Sequence, residues 1–155
     1  THMAVAVRFK QENPWERIRL MRDAMPNTQL SFLTTGMRFI SWEVASHEVM
    51  SLAFSLLVNA GMRRFAIMDP MNNIDSMLIM ADLTRKAGAE QSVAALTFTL
   101  SPMHDDKHFV DCTKKLADSK RFDRIYLKDP GGLLTPERAA TLIPALKNAF
   151  GSAFP

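Results

Sequence analysis

The chain predicts an α/β fold built from repeated βα units: part of a (β/α)8 barrel or, as the alternative, a compact doubly wound flavodoxin-like sheet. Three observations carry this. Short apolar segments alternate with amphipathic helical segments along the sequence. The apolar segments show little in/out alternation, as parallel strands buried on both faces do. Their ends fall near residues 34, 68, 98 and 127, a spacing of about 30 residues that matches one βα unit. No G-x-G-x-x-G or Walker-type loop follows any of them, which weakens the nucleotide-binding version. A complete barrel needs about 250 residues, so 155 would supply only part of one.

The elements follow in order. Asn13-Pro14-Trp15-Glu16 reads as N-cap, N1 proline and N3 glutamate, with Trp15, Ile18, Met21 and Met25 at helical spacing before Pro26-Asn27 stops the helix. Gln29–Thr34 reads as a strand. Ser46 caps a helix with Val49, Ala53, Leu56, Leu57 and Ala60 as its apolar positions and Gly61 as its stop. Arg64–Met68 is the next strand, ending at Asp69-Pro70. Ile74, Met77, Leu78 and Ala81 share a helix face that ends before Gly88. Ser92–Thr99 is a strand, and Phe109, Thr113, Leu116 and Ala117 mark a helix. Arg124–Leu127 is the last strand. Thr135 caps a final helix that turns Ala139, Leu142, Ile143, Leu146 and Phe150 inward, with a kink or break expected at Pro144.

Composition bounds the partners. The chain is 47% hydrophobic and 23% charged with a formal charge of +3, and no basic run is interleaved with aromatics, so no nucleic-acid partner is expected. No apolar run reaches 18 residues, so no direct membrane insertion is expected. The single cysteine, Cys112, suits a reducing, cytoplasmic compartment. Thr1-His2-Met3 reads either as a cloning scar or as native sequence.

In both architectures ligands bind beyond the C-terminal ends of the strands. The polar residues there are Thr34, Thr35 and Arg38, then Asp69 and Asn72, then Thr97, Thr99 and His104, then Lys128 and Asp129. Each has a plainer reading. Asp69 can shape the turn before Pro70, Asn72 can be an N-cap, Thr97 and Thr99 can supply β-propensity, and His104 can serve a turn. The histidines are read as making no metal motif by themselves. Cys112 is read as a packing residue with no histidine near it. Lys128 stands apart, because a lysine between an apolar strand and a Pro-Gly-Gly turn is placed for burial, which makes an amine nucleophilic. Such an amine can form a Schiff base, act as a base, or take up CO2 as a carbamate.

The stretch YLKDPGGLLTPERAATLIPAL, from Tyr126, resembles the corresponding segment of biotin-dependent carboxyltransferase barrels: pyruvate carboxylase, the oxaloacetate decarboxylase alpha subunit and transcarboxylase, with a more distant likeness to the HMG-CoA lyase superfamily. RFKQENPWERIRLMRDAMPNTQLSFLTTG resembles the family's R-F-x-x-x-x-P-W-x-R-[IL] helix and M-P-N turn. FAIMDPMNNIDSM and LTFTLSPMHDDKHFV resemble its next two strand-end segments. The resemblance covers nearly the whole chain in one order. It implies a (β/α)8 barrel with a divalent metal (Zn, Mn or Co) at its C-terminal mouth, and carboxyl transfer or decarboxylation between a small keto acid or related substrate and carboxybiotin on a separate carrier domain or subunit.

By the same resemblance Lys128, as a carbamate, is a metal ligand. Lys128, Asp69 and Thr99 are the catalytic candidates, and Thr35, Arg38 and Asn72 the substrate-binding ones. The family's first-strand aspartate has no counterpart, and its H-x-H pair is absent, with Phe154-Pro155 where that strand would begin. Thr35 replaces an arginine that the family uses for a carboxylate, and Trp42 replaces a tyrosine. The chain thus looks like an interior part of a barrel. Its open edges invite a homo-oligomer. The alternatives are a metal-dependent aldolase or lyase of the wider superfamily and a non-catalytic α/β scaffold or binding homologue.

Overall fold

The computed structural model describes residues 3–38, 40 and 43–151. Thr1-His2, Trp42 and Phe154-Pro155 lie outside the described residues. Among the described residues, strands β1 (Ser31–Thr35), β2 (Arg64–Met68), β3 (Gln91–Thr97) and β4 (Arg124–Lys128) form one parallel sheet in the order β1-β2-β3-β4. Around them come helices α1 (Met3–Lys10), α2 (Pro14–Ala24), α3 (His47–Ala60), α4 (Ile74–Lys86), α5 (Asp106–Asp118) and α6 (Pro136–Phe150). A strand order without reversal has no doubly wound switch point, so the flavodoxin-like alternative is set aside in favour of an arc of a barrel.

Burial agrees with the arc. Phe65, Ile67, Ala94, Leu96 and Ile125 alternate along the strands and join the main core with Phe54 and Leu57 of α3, Met77 and Met80 of α4, and Phe109 and Leu116 of α5. The intervening residues Ala66, Met68, Val93 and Ala95 point to the other face and stand outside that core. On the same face, Leu33 and Tyr126 are 44% and 37% exposed on the edge strands. The apolar run of each strand thus serves two faces, the helices covering one of them.

Most predicted ends are observed. The Asn13 side chain accepts from the N–H of Trp15 and of Glu16, Ser46 and Thr135 cap α3 and α6, and Gly61 closes α3 with φ +116°. Four readings are corrected. Helix α1 precedes the elements expected from the sequence. Of the apolar positions expected on α3, Ala53, Leu57 and Ala60 are buried, while Val49 and Leu56 are exposed and Met50 and Phe54 take the inward places. Helix α6 runs unbroken through Pro144, because the carbonyl that loses its N–H belongs to Ala140, and both residues lie on the exposed face. The N-cap of α4 is Asn73, which accepts from the Ser76 N–H, and not Asn72.

Candidate functional site at the strand ends

The C-terminal ends of β2 and β3 are joined by a side chain. Asn72 has φ +54° and is buried, and its amide Nδ2 donates to the Thr97 carbonyl at 2.8 Å while its Oδ1 accepts from the Thr97 N–H at 2.8 Å. β2 has ended at Met68, so the amide takes the place of a missing strand partner. This is why β3 stops at Thr97 and not at Thr99 as its sequence suggests: beyond Thr97 no partner remains on the β2 side.

Asp69 is held by its own turn. Its Oδ1 accepts from the N–H of Met71 at 2.9 Å and of Asn73 at 3.1 Å, and its carbonyl accepts from the Asn72 N–H. The carboxylate is thereby fixed with Oδ2 toward Gly36, 3.5 Å from where a Cβ would stand. Thr35, Gly36, Arg38, Asp69 and Ser76 border a cavity of about 450 Å3 at the β1–β2 mouth. A second cavity, of about 390 Å3, lies beyond β2–β4 and is bordered by Asn72, Thr97, Thr99, His104 and Gly131. Of the predicted site residues, the fold therefore brings Thr35, Arg38 and Asp69 together at one mouth, and Asn72 and Thr99 at the adjoining one.

Lys128 is the last residue of β4, on the same face as Met68 and Ala95. Its Nζ reaches across β3 to Met68 Sδ at 2.9 Å. A thioether is a weak acceptor, and among the described residues no carboxylate pairs with this amine. Asp129 turns away into the Pro-Gly-Gly loop, where Oδ2 accepts from the Leu134 N–H at 2.9 Å and Oδ1 is shielded without a well-formed partner. The N–H groups of Leu133 and Leu134, then those of Gly131 and Gly132, hold its carboxyl below the usual carboxylate range. Its ionised form therefore stabilises the fold above the ordinary carboxylate pKa, and that contribution is lost as pH falls through the lowered native value. Asp129→Asn is expected to flatten the acid limb of a Tm-versus-pH series, and an unchanged limb would refute the assignment.

Two features go beyond what the sequence reading singled out. His104 and His108 are four residues apart and their rings meet edge to face at 4.9 Å; His104 Nδ1 bonds Ser101 Oγ at 2.7 Å. His108 Nε2 lies 3.8 Å from Cys112 Sγ, so the cysteine does have a histidine beside it, although burial pushes its thiol up. The H-x-x-x-H-x-x-x-C spacing carried that signal. Arg138 of α6 donates to Asp106 Oδ1 at 3.1 Å and to the His104 carbonyl at 2.9 Å, and stands 5.0 Å over the Phe98 ring, pinning the loop after β3; nothing in the sequence marks it. Among the described residues, the side chains alone do not fit a divalent metal: no three of His, Cys, Asp and Glu are grouped to hold one.

A sequential parallel βα arc with its polar residues gathered at the strand ends defines a segment of a barrel whose ligands bind at the C-terminal mouth. Comparison with known proteins finds it similar to segments of carboxyltransferase and pyruvate carboxylase proteins. The chain is 32% identical over 145 residues to the methylmalonyl-CoA carboxyltransferase 5S subunit of Propionibacterium freudenreichii, covering 94% of this chain and 28% of that one. It is 30% identical over 150 residues to pyruvate carboxylase 1 of Caenorhabditis elegans, covering 94% and 13%. The carboxyl transferase domain of Rhizobium etli pyruvate carboxylase, solved with pyruvate and biocytin, superposes with a TM-score of 0.88 at 27% identity, over 95% of this chain and 26% of that one. No family model matches. The chain thus spans from about an eighth to about a quarter of the length of these relatives.

Proposed function

We propose that residues 1–155 form one α/β unit of a larger carboxyltransferase barrel, and that this unit supplies part of the site where a carboxyl group passes between carboxybiotin and a small keto acid or related substrate. The observation that carries the reading is Lys128: a strand-end amine on the inner face, with a thioether as its hydrogen-bond partner and, among the described residues, no carboxylate against it. An amine not committed to an ion pair is available to add to CO2, forming the N–C bond and releasing a proton, and the product is an anionic oxygen donor. As a carbamate it would offer one ligand to a divalent metal, the other ligands coming from outside this chain. Thr99 and Asn72 border the adjoining cavity, Asn72 as the residue that fixes its wall. Carboxybiotin would arrive on a separate carrier domain or subunit, as the biotin chemistry of the relatives suggests.

The test is isotopic. With 13C-bicarbonate, the chain is expected to show a carbamate carbon coupled to the Lys128 ε-methylene, and Lys128→Ala is expected to lose that signal completely. Label that never reaches Lys128, or that persists in Lys128→Ala, removes the basis for the reading.

A further inference from the structure

We infer that Met68 is a modification site for hydrogen peroxide, and that its sulfoxide withdraws the Lys128 amine from CO2; the inference rests on the carboxyl-transfer reading and names a regulation of that same site. Met68 ends β2 on the inner face, where its partner across the ladder is Ala95 of β3. The small Ala95 side chain leaves the way over β3 open, and the Lys128 Nζ crosses it to donate to Met68 Sδ at 2.9 Å. A thioether is a weak acceptor, so this contact places the amine without committing it. In the modification the sulfur lone pair attacks one peroxide oxygen, the O–O bond breaks, and the departing oxygen leaves as water with both protons. The sulfur is oxidised to a sulfoxide and the peroxide is reduced. The new oxygen is a strong acceptor, so the amine must then break a full hydrogen bond before it can add to CO2.

Its place in the fold sets Met68 apart from the core methionines. Met50, Met77 and Met80 belong to the main core, where a new oxygen would lie unpaired among apolar side chains. Met68 is 7% exposed yet stands outside that core, on the face that leaves Leu33 and Tyr126 44% and 37% exposed. Its new oxygen meets a donor already in place. Met71 and Met103, 86% and 77% exposed, oxidise in solvent, and a Met68 variant separates their effect from that of Met68.

The experiment treats the chain briefly with hydrogen peroxide and reads peptide masses together with the Lys128 carbamate carbon under 13C-bicarbonate at fixed pH. Met68 is expected to gain one oxygen before Met50, Met77 and Met80 do. The carbamate signal is expected to fall about tenfold, the worth of one good hydrogen bond. In Met68→Leu the signal is expected to be the same before and after peroxide. In Met68→Gln, whose amide oxygen is a permanent acceptor, it is expected to be low without peroxide. A signal that survives oxidation of Met68, stays high in Met68→Gln or falls equally in Met68→Leu overturns the inference, as does oxidation of the core methionines ahead of Met68. An untreated chain that takes no label fails the carboxyl-transfer reading and the effect on carbamylation with it, whereas label present before treatment and unmoved by it fails the inference alone.

Discussion

Asn72→Ala is expected to destabilise the chain by about 2–4 kcal/mol in a denaturant titration. The substitution removes both hydrogen bonds to Thr97 at once. It leaves a backbone N–H and a carbonyl unpaired at a part-buried position, and unsatisfied groups cost about 1–3 kcal/mol each when shielded from water. It also places alanine at φ +54°, a conformation asparagine tolerates better than alanine does. Asn72→Asp separates the two contributions, because it retains an acceptor for the Thr97 N–H but loses the donor to its carbonyl. A loss below about 1 kcal/mol in Asn72→Ala would show that the amide is not the latch between β2 and β3.

Phe65→Ala is expected to cost about 3–5 kcal/mol, the range for removing a fully buried aromatic ring. Phe65 is fully buried at the start of β2, where its ring meets Phe54 of α3 edge to face at 5.5 Å and Phe32 of β1 at 6.3 Å. The cavity would open between the sheet and α3, where the Phe65 ring now packs against Phe54. By contrast, Tyr126→Ser on the opposite face is expected to cost less than Phe65→Ala, because that residue is 37% exposed and gives up less burial. Equal losses at the two positions would refute the assignment of faces.

Much of the fold is legible in the sequence because it is local. The caps at Asn13, Ser46 and Thr135 and the glycine at residue 61 act within a few residues of themselves, so their chemistry sets where helices begin and end wherever the chain lies. Strand β2 has legible bounds for a similar reason: Asp69-Pro70 ends it within the sequence itself. Two of the misreadings have the opposite cause. The face of α3 is chosen by what packs on it, and a helix rich in apolar residues gives periodicity little to choose between. Helix α6 tolerates Pro144 because that residue faces outward, which is a fact about the neighbours of α6 and not about proline.

The site divides in the same way. That lysine, aspartate, asparagine and threonine residues gather at strand ends follows from the order of residues alone, because parallel strands of one spacing must place their ends on one side. The ordered motifs by which the chain resembles carboxyltransferase barrels are written in that order too. What those residues are free to do is settled in three dimensions. The folded chain spends both polar atoms of the Asn72 amide on Thr97, turns Asp129 into its own loop, fixes one oxygen of Asp69 and aims the other toward Gly36, and carries the Lys128 amine across β3 to Met68. A polar side chain's role depends on which donors and acceptors reach it, and here those partners come from residues 25 to 60 positions away as often as from the adjoining turn.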